Sequence, residues 1–190
     1  MKAETSVSIN SVLAHRRSPR SFIEKKLLPK EDLVAILEAG RWAPSAMNAQ
    51  PWRFYIGQNG DETFAQILDS MGDFNKEWAK RASALILVLG TNTREDGNPH
   101  ITYQYDCGLA VMQMVVEAHD RGLIAHQMTG FDFPKAATNV GAPANLTPVV
   151  IVALGYQGGV EQLNEAMAQR EVAPRQRKAL SEIVMKGLPS

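Results

Sequence analysis

The chain is poor in the features that usually make an activity obvious. It has one cysteine in 190 residues. That excludes an intramolecular disulfide and a cysteine-cluster metal site. It has no excess of either charge: Lys+Arg is 20, Asp+Glu is 20, and the formal net charge is zero. A dedicated nucleic-acid binder carries a basic surplus, so nucleic acid is not an expected partner. Long hydrophobic runs are missing too. Ala84–Leu89 and Val149–Leu154 are the longest, and both are far too short to cross a bilayer, so no membrane partner is expected. Met1-Lys2-Ala3-Glu4-Thr5 leads into no apolar segment of the kind a signal peptide carries, and the expected location is cytoplasmic. His15, His100, His119 and His126 are scattered without metal-ligand spacing, so no metal is expected. No Gly-x-Gly-x-x-Gly follows a strand-like run, which argues against a dedicated dinucleotide-binding unit.

What is present is globular: 45% hydrophobic and 21% charged residues. No repeat and no Pro/Gly/Ser-rich linker divides the chain, so residues 1–190 are expected to form one domain. Helices are predicted over Ser8–His15, from Pro29 to Ala43, over Glu62–Met71, from about Asn75 to Lys80, and over His100–Arg121. Strands are predicted at Phe54–Gly57, Ala84–Gly90, Leu123–Thr129 and Val149–Leu154. Alternating strands and helices make the class α/β or α+β. In His100–Arg121, the polar residues Asp106, Gln113, Glu117 and Asp120 share a narrow arc at 100° per residue. Apolar residues cover most of the remaining circumference, so this helix is expected to lie centrally or to face a second subunit.

Two groups could carry chemistry. Arg16-Arg17-Ser18-Pro19-Arg20 follows a predicted helix. Guanidinium forks match phosphate oxygens bidentately, and a serine hydroxyl adds a short donor. By itself the group also reads as a solvated basic turn. The second group is Ala43-Pro44-Ser45-Ala46-Met47-Asn48-Ala49-Gln50-Pro51-Trp52-Arg53-Phe54. Its prolines stiffen a helix-to-strand connection, and its amides offer the paired donors and acceptors that a heterocycle edge needs. By itself it reads equally as a proline-rich turn with Trp52 capping the core.

Together, and in this order, Arg16–Phe22 and Ala43–Trp52 resemble the FMN-dependent nitroreductase family. Gly122-Leu123, Thr129-Gly130-Phe131-Asp132 and the closing 174–184 segment are similar to it as well, so the likeness spans nearly the whole chain. The resemblance implies an α+β fold, with a central, mostly antiparallel sheet flanked by helices. It also implies an intertwined homodimer with flavin at the subunit interface. Arg16, Ser18 and Arg20, with Arg17 between them, match the turn that holds the phosphate, ribityl and pyrimidine end of FMN. Pro44, Ser45, Ala46 and Asn48 match the loop that the neighbouring subunit lays on the flavin. Asn75 matches a ring-contacting amide. Thr129 and Gly130 match the pair whose backbone approaches N5. Family members often have an acid at the position of Thr129, so this chain keeps the backbone role without a carboxylate. Arg175 and Arg177 match a closing basic pair that returns to the phosphate.

The implied activity is hydride transfer from NADH or NADPH through flavin N5 to electron-poor acceptors such as nitroaromatics or quinones, in ping-pong order. No side chain is then required as a catalytic nucleophile or acid–base, because the flavin performs the chemistry. The alternatives are a specialised reaction on the same fold, such as reductive dehalogenation, and a non-catalytic FMN-binding or regulatory module. His126, on a strand leading to Thr129-Gly130, is a further candidate for the cofactor pocket. Cys107 is expected to be a core residue rather than a nucleophile.

Overall fold

A computed structural model describes residues 2–187. Its order is α1 (Ser11–His15), α2 (Lys30–Arg41), β1 (Trp52–Gln58), α3 (Glu62–Asp69), α4 (Asp73–Ala79), β2 (Ala84–Thr91), α5 (Tyr103–Asp120), β3 (Ile124–Met128), α6 (Phe133–Asn139), β4 (Leu146–Gly155), α7 (Glu165–Val172) and α8 (Leu180–Ile183). The four named strands form one sheet in the order β1-β2-β4-β3, and every neighbouring pair is antiparallel. The fold is α+β, with helices on both faces of an antiparallel sheet.

The inner strands explain the two-sided core. Successive side chains along a strand point to opposite faces. Ala84, Ile86 and Val88 of β2, with Val152 and Leu154 of β4, therefore join the core built with α2 and α5. Leu85, Leu87 and Leu89, with Ile151 and Ala153, join the core of Phe22, Phe64, Ile67 and Trp78 on the other face. Neither face of β2 is wet, which is why its sequence shows no polar alternation. The β2–β4 register shifts between Val88 and Leu89: Val88 pairs with Val150, but Leu89 pairs with Pro148. Val149 is the extra residue of a bulge, the place where an inner strand tolerates a proline that cannot donate to the ladder.

Local chemistry sets the element ends. Asn10 accepts from the Val12 backbone N–H and starts α1 at Ser11, three residues later than the predicted Ser8. Pro29 stands at the N-cap of α2, and Glu31 and Asp32 lie in its first turn. Asp61 accepts from Phe64 N at the start of α3. β1 and β4 run longer than predicted, because pairing continues past their apolar centres.

The apolar helix α5 lies centrally against α2 and beneath the sheet. At Gly40 of α2, an added Cβ would stand 2.7 Å from Met114 Cγ, so glycine lets the two helices approach closely. One expectation is corrected here. Asp106 does not share the solvent-facing arc with Gln113, Glu117 and Asp120; it is 1% exposed. The 43–48 segment reaches the first turn of α5 and covers it, an effect that helical periodicity cannot see. Meanwhile Ile101 and Tyr105 are exposed, and Leu109, Met112 and Val116 are only partly covered. A shallow groove lined by Leu13, Ala39, Met112 and Val116 continues this outer apolar face. Among the described residues, no helix is long and apolar enough to cross a membrane.

Candidate functional site

The basic turn is built on the edge strand β3. The chain leaves α1 extended at Arg16, and Pro19 is buried. The Pro19 carbonyl accepts from His126 Nδ1 at 2.9 Å. A carbonyl can only accept, so Nδ1 carries the proton. Burial, the chief effect, pushes the His126 pKa below its ordinary value, with the Arg20 charge adding to it. The imidazole is thus held neutral. It packs at 4.6 Å on Trp78, which stacks in turn on Phe22 at 6.0 Å. This aromatic base supports the turn from inside. His126 belongs beneath the turn.

Glu171 of α7 accepts from Arg20 N at 3.1 and 3.0 Å and from Ser21 N at 3.4 Å. It fixes the backbone at the point where the Arg20 side chain departs. That guanidinium lies 5.9 Å from the centroid of the Phe74 ring, and Arg170 lies 5.8 Å from the same ring. Arg20 Nε is buried and has no hydrogen-bond partner among the described residues. Burial also lowers the pKa of this side chain. A buried donor without an acceptor is costly, on the order of 1–3 kcal/mol.

The remaining arginines gather nearby. Arg175 donates to the carbonyls of Ala14 and Arg16 at the end of α1, where a helix presents partial negative charge. Arg17 donates to Ala173 O at 3.1 Å. The Arg175 pKa is lowered by burial first, then by the like charges of Arg17, Arg16 and Arg177. Four guanidinium groups therefore share one field. Arg177 itself donates to the Gln176 carbonyl. Ser18 Oγ makes a long contact of 3.5 Å to Gln127 Oε1 on β3.

β3 then runs into exposed Thr129 and Gly130. Asn75, next to Phe74 on α4, donates to Gly130 O at 3.2 Å, and Gly72 N donates to the same carbonyl at 3.1 Å. A Cβ at Gly130 would stand 2.6 Å from Asn75 Nδ2. The glycine keeps this surface flat and the amide seated against it. Arg16, Arg17, Ser18, Arg20, Asn75, Thr129, Gly130, Arg175 and Arg177 thus belong to one connected region.

Pro44, Ser45, Ala46 and Asn48 do not join them within the chain. Their loop leads into β1, at the opposite edge of the sheet from β3. Three inter-strand spacings, about 14 Å, separate those edges. The loop is internally tied: Gln50 N donates to Ser45 Oγ at 3.0 Å, and Gln50 Nε2 donates to Asn48 O at 3.0 Å. Ala46 N donates to Asp106 Oδ1 at 3.3 Å. Met47, Asn48 and Gln50 have φ of 54°, 55° and 46°, in the left-handed region that non-glycine residues avoid. Each such residue costs roughly 1–3 kcal/mol, and residues of this kind cluster at functional loops.

Glu171, Phe74, Arg170, Gln127 and Asp106 were not singled out from sequence. Glu171 stands 151 residues from Arg20, in a stretch without any motif. Cys107 is buried, and its pKa is pushed up to about 12, first by burial and then by Asp106, so the thiol is inert.

The β3 edge thus carries a group of arginines at the end of α1 and an exposed Thr129–Gly130 backbone seated against Asn75. Comparison with known proteins identifies the family. The nitroreductase family model matches residues 13–76 and 59–156. A 15.4 kDa protein from the region 5′ of ask in Mycolicibacterium smegmatis is 38% identical over 146 residues, covering 71% of this chain and 95% of that protein. Iodotyrosine deiodinase of Thermotoga neapolitana is 26% identical over 166 residues, covering 76% of this chain and 86% of that enzyme. The crystal structure of an oxidoreductase containing FMN superposes with a TM-score of 0.92 at 30% identity, covering 99% of this chain and 96% of that one. The chain belongs to the nitroreductase family and is an enzyme of the oxidoreductase class.

Proposed function

We propose that this enzyme binds FMN and, as a homodimer, uses NADH or NADPH to reduce electron-poor acceptors such as nitroaromatics or quinones. The observation that carries the reading is Arg20 Nε, buried without an acceptor among the described residues, on the same turn as Arg16 and Arg17, whose charges act on Arg175. Arg16, Arg17, Ser18, Arg20, Arg175 and Arg177 hold the phosphate, ribityl and pyrimidine end. Asn75, Thr129 and Gly130 form the floor for the ring. When bound, FMN supplies hydride chemistry at N5, while the protein binds, orients and tunes it. Cationic groups at the pyrimidine end stabilise negative charge there, which raises electron affinity.

The homodimer reading rests on two features. The Pro44–Asn48 loop and the basic turn occupy opposite sheet edges, so a second copy is what brings the two halves of the site together. The outer face of α5 and the C-terminal segment expose Ile101, Tyr105, Leu180, Ile183 and Met185, more apolar surface than an isolated protomer favours. In that arrangement the Pro44–Asn48 loop of each protomer covers the ring held by the other.

Likeness to an iodotyrosine deiodinase favours reductive removal of halogen as the second reading. One anaerobic stopped-flow series separates the readings. FMN-loaded protein is mixed with NADH or NADPH, then with a nitroaromatic, a quinone or a halogenated phenol. Bleaching of the flavin band, followed by recovery with nitroaromatic or quinone, is expected. Recovery with the halophenol alone selects the second reading. Protein that binds FMN but bleaches with neither nicotinamide is a non-catalytic flavin module, and protein that takes up no FMN ends the proposal. Sedimentation of the loaded protein as a monomer would remove the dimer.

A further inference from the structure

We propose that Asp106 is the positioning residue that presets the Ala46–Gln50 loop for the flavin; this rests on the flavin reading above. Asp106 is 1% exposed, in the first turn of an 18-residue helix whose other buried side chains are all apolar. A buried carboxylate is costly unless its oxygens are satisfied, and an apolar residue would pack there more cheaply. Each oxygen has its use. Oδ2 accepts from Thr102 Oγ1 at 3.1 Å and lies 3.7 Å from Nε2 of His100, itself 4% exposed. Oδ1 accepts from a single group outside this cluster, the Ala46 backbone N–H at 3.3 Å. His100 is anchored in turn, its backbone N–H donating to Asn92 O at 2.8 Å. A fixed buried carboxylate therefore reaches out of α5 to one amide of the loop.

That amide opens the strained stretch. Met47, Asn48 and Gln50 are left-handed, and Met47 is 91% exposed, so its own side chain contributes little burial to hold the conformation. A strained loop persists only where its surroundings over-determine it. At the far end the ties are Ser45 Oγ to Gln50 N, Gln50 Nε2 to Asn48 O and Arg53 Nη1 to Gln50 O; at the near end, Asp106 holds Ala46 N. Loss of the near tie lets the backbone relax, and the Asn48 amide and the Ala46 backbone then no longer stand where the ring requires them. Asp106 touches neither cofactor nor acceptor; it acts through the loop.

The test uses full-length protein, FMN titration by flavin fluorescence, and amide hydrogen exchange without FMN. Asp106→Ala is expected to weaken FMN binding about tenfold, the scale of one charge-assisted hydrogen bond, and to speed exchange across residues 46–50. Asp106→Asn keeps an acceptor at Oδ1 and is expected to restore affinity to within about threefold of wild type, the residue being the weaker neutral bond. Ala46→Pro removes the donor while leaving the carboxylate in place, and Ser45, at φ −145° and ψ 154°, already has the backbone that precedes proline. It should reproduce the loss of affinity, and the double variant should be no weaker than the worse single one. If Asp106→Ala lowers the melting temperature but leaves FMN affinity and loop exchange unchanged, the residue is merely structural and the proposal falls. If Asp106→Ala does not fold, Ala46→Pro decides: wild-type affinity in that variant overturns the assignment. Wild-type protein that takes up no FMN overturns the flavin reading instead, and loop exchange in Asp106→Ala then decides the tie to the loop alone.

Discussion

The two edges of the sheet solve opposite problems. At the β3 edge, the basic turn is over-determined from within its own chain: His126 holds Pro19, Glu171 holds the Arg20 and Ser21 amides, and Arg175 holds the end of α1. Arg20 Nε, buried on this turn, has no hydrogen-bond partner among the described residues. At the β1 edge, the Ala46–Gln50 loop is exposed and strained; Asp106 ties its near end to α5 and Arg53 ties its far end to β1. The contrast teaches a division of labour. One edge fixes its backbone with hydrogen bonds from distant parts of the chain. The other holds left-handed residues in an exposed loop.

The largest expected effect breaks the first half of that contrast. Arg20→Ala removes the unpaired donor and should weaken FMN binding by about 1.5–3 kcal/mol, roughly 10- to 150-fold in Kd, as read by fluorescence titration. Unchanged affinity would mean that the turn grips nothing. Gly130→Ala is expected to be milder, about 1 kcal/mol in FMN affinity. Its Cβ meets only the end of the Asn75 side chain, which can move, so the floor roughens while the fold survives. A shift in the bound flavin absorption band would mark the change, and a spectrum and Kd equal to wild type would move the ring elsewhere.

Met47→Gly sharpens the second half. Glycine adopts φ of 54° without a clash, so apo-protein stability should rise by about 1 kcal/mol in urea unfolding. A loss of stability would show that the loop is not strained.

The smallest effect is a pH dependence of the apo fold. The folded pKa values of His126 and His119 both lie below the ordinary 6.5, chiefly through burial. Below that pH the unfolded chain takes up protons that the folded chain refuses. Stability therefore falls as pH drops from 6.5 toward the folded values, and is fully present above 6.5. Melting curves from pH 8 down to pH 5 should show the decline, and His126→Gln should flatten it. An equal slope in that variant would place the titrating group elsewhere.

The periodic features of this chain were open to reading before any coordinates. The all-apolar run at 84–90 reads as a strand wet on neither face, and the over-apolar helix was expected to lie centrally or to face a second subunit; it lies against α2 and the sheet. Both follow from side-chain period and burial, which are local properties. The arginine turn and the stiff amide-bearing loop were visible because their chemistry is written in consecutive residues. Glu171 and Asp106 were not visible. Glu171 meets Arg20 only after α7 folds back across the chain, and Asp106 sits at a helical phase that solvent would share if the 43–48 segment did not cover it. His126 lay between these cases: its strand could be read, but its place beneath the turn could not.

Composition and local pattern alone determined that this chain alternates strands and helices around one core, α/β or α+β in class, and carries separated arginines and a proline-stiffened loop, because short-range sterics and hydrophobic period act within a few residues. Only the tertiary structure decided that Arg16, Arg17, Arg175 and Arg177 share one field, that Arg20 Nε is buried without a partner among the described residues, and that the loop stands at the far edge of the sheet. Those outcomes depend on strand order and on contacts between residues more than a hundred positions apart, and no local preference specifies either.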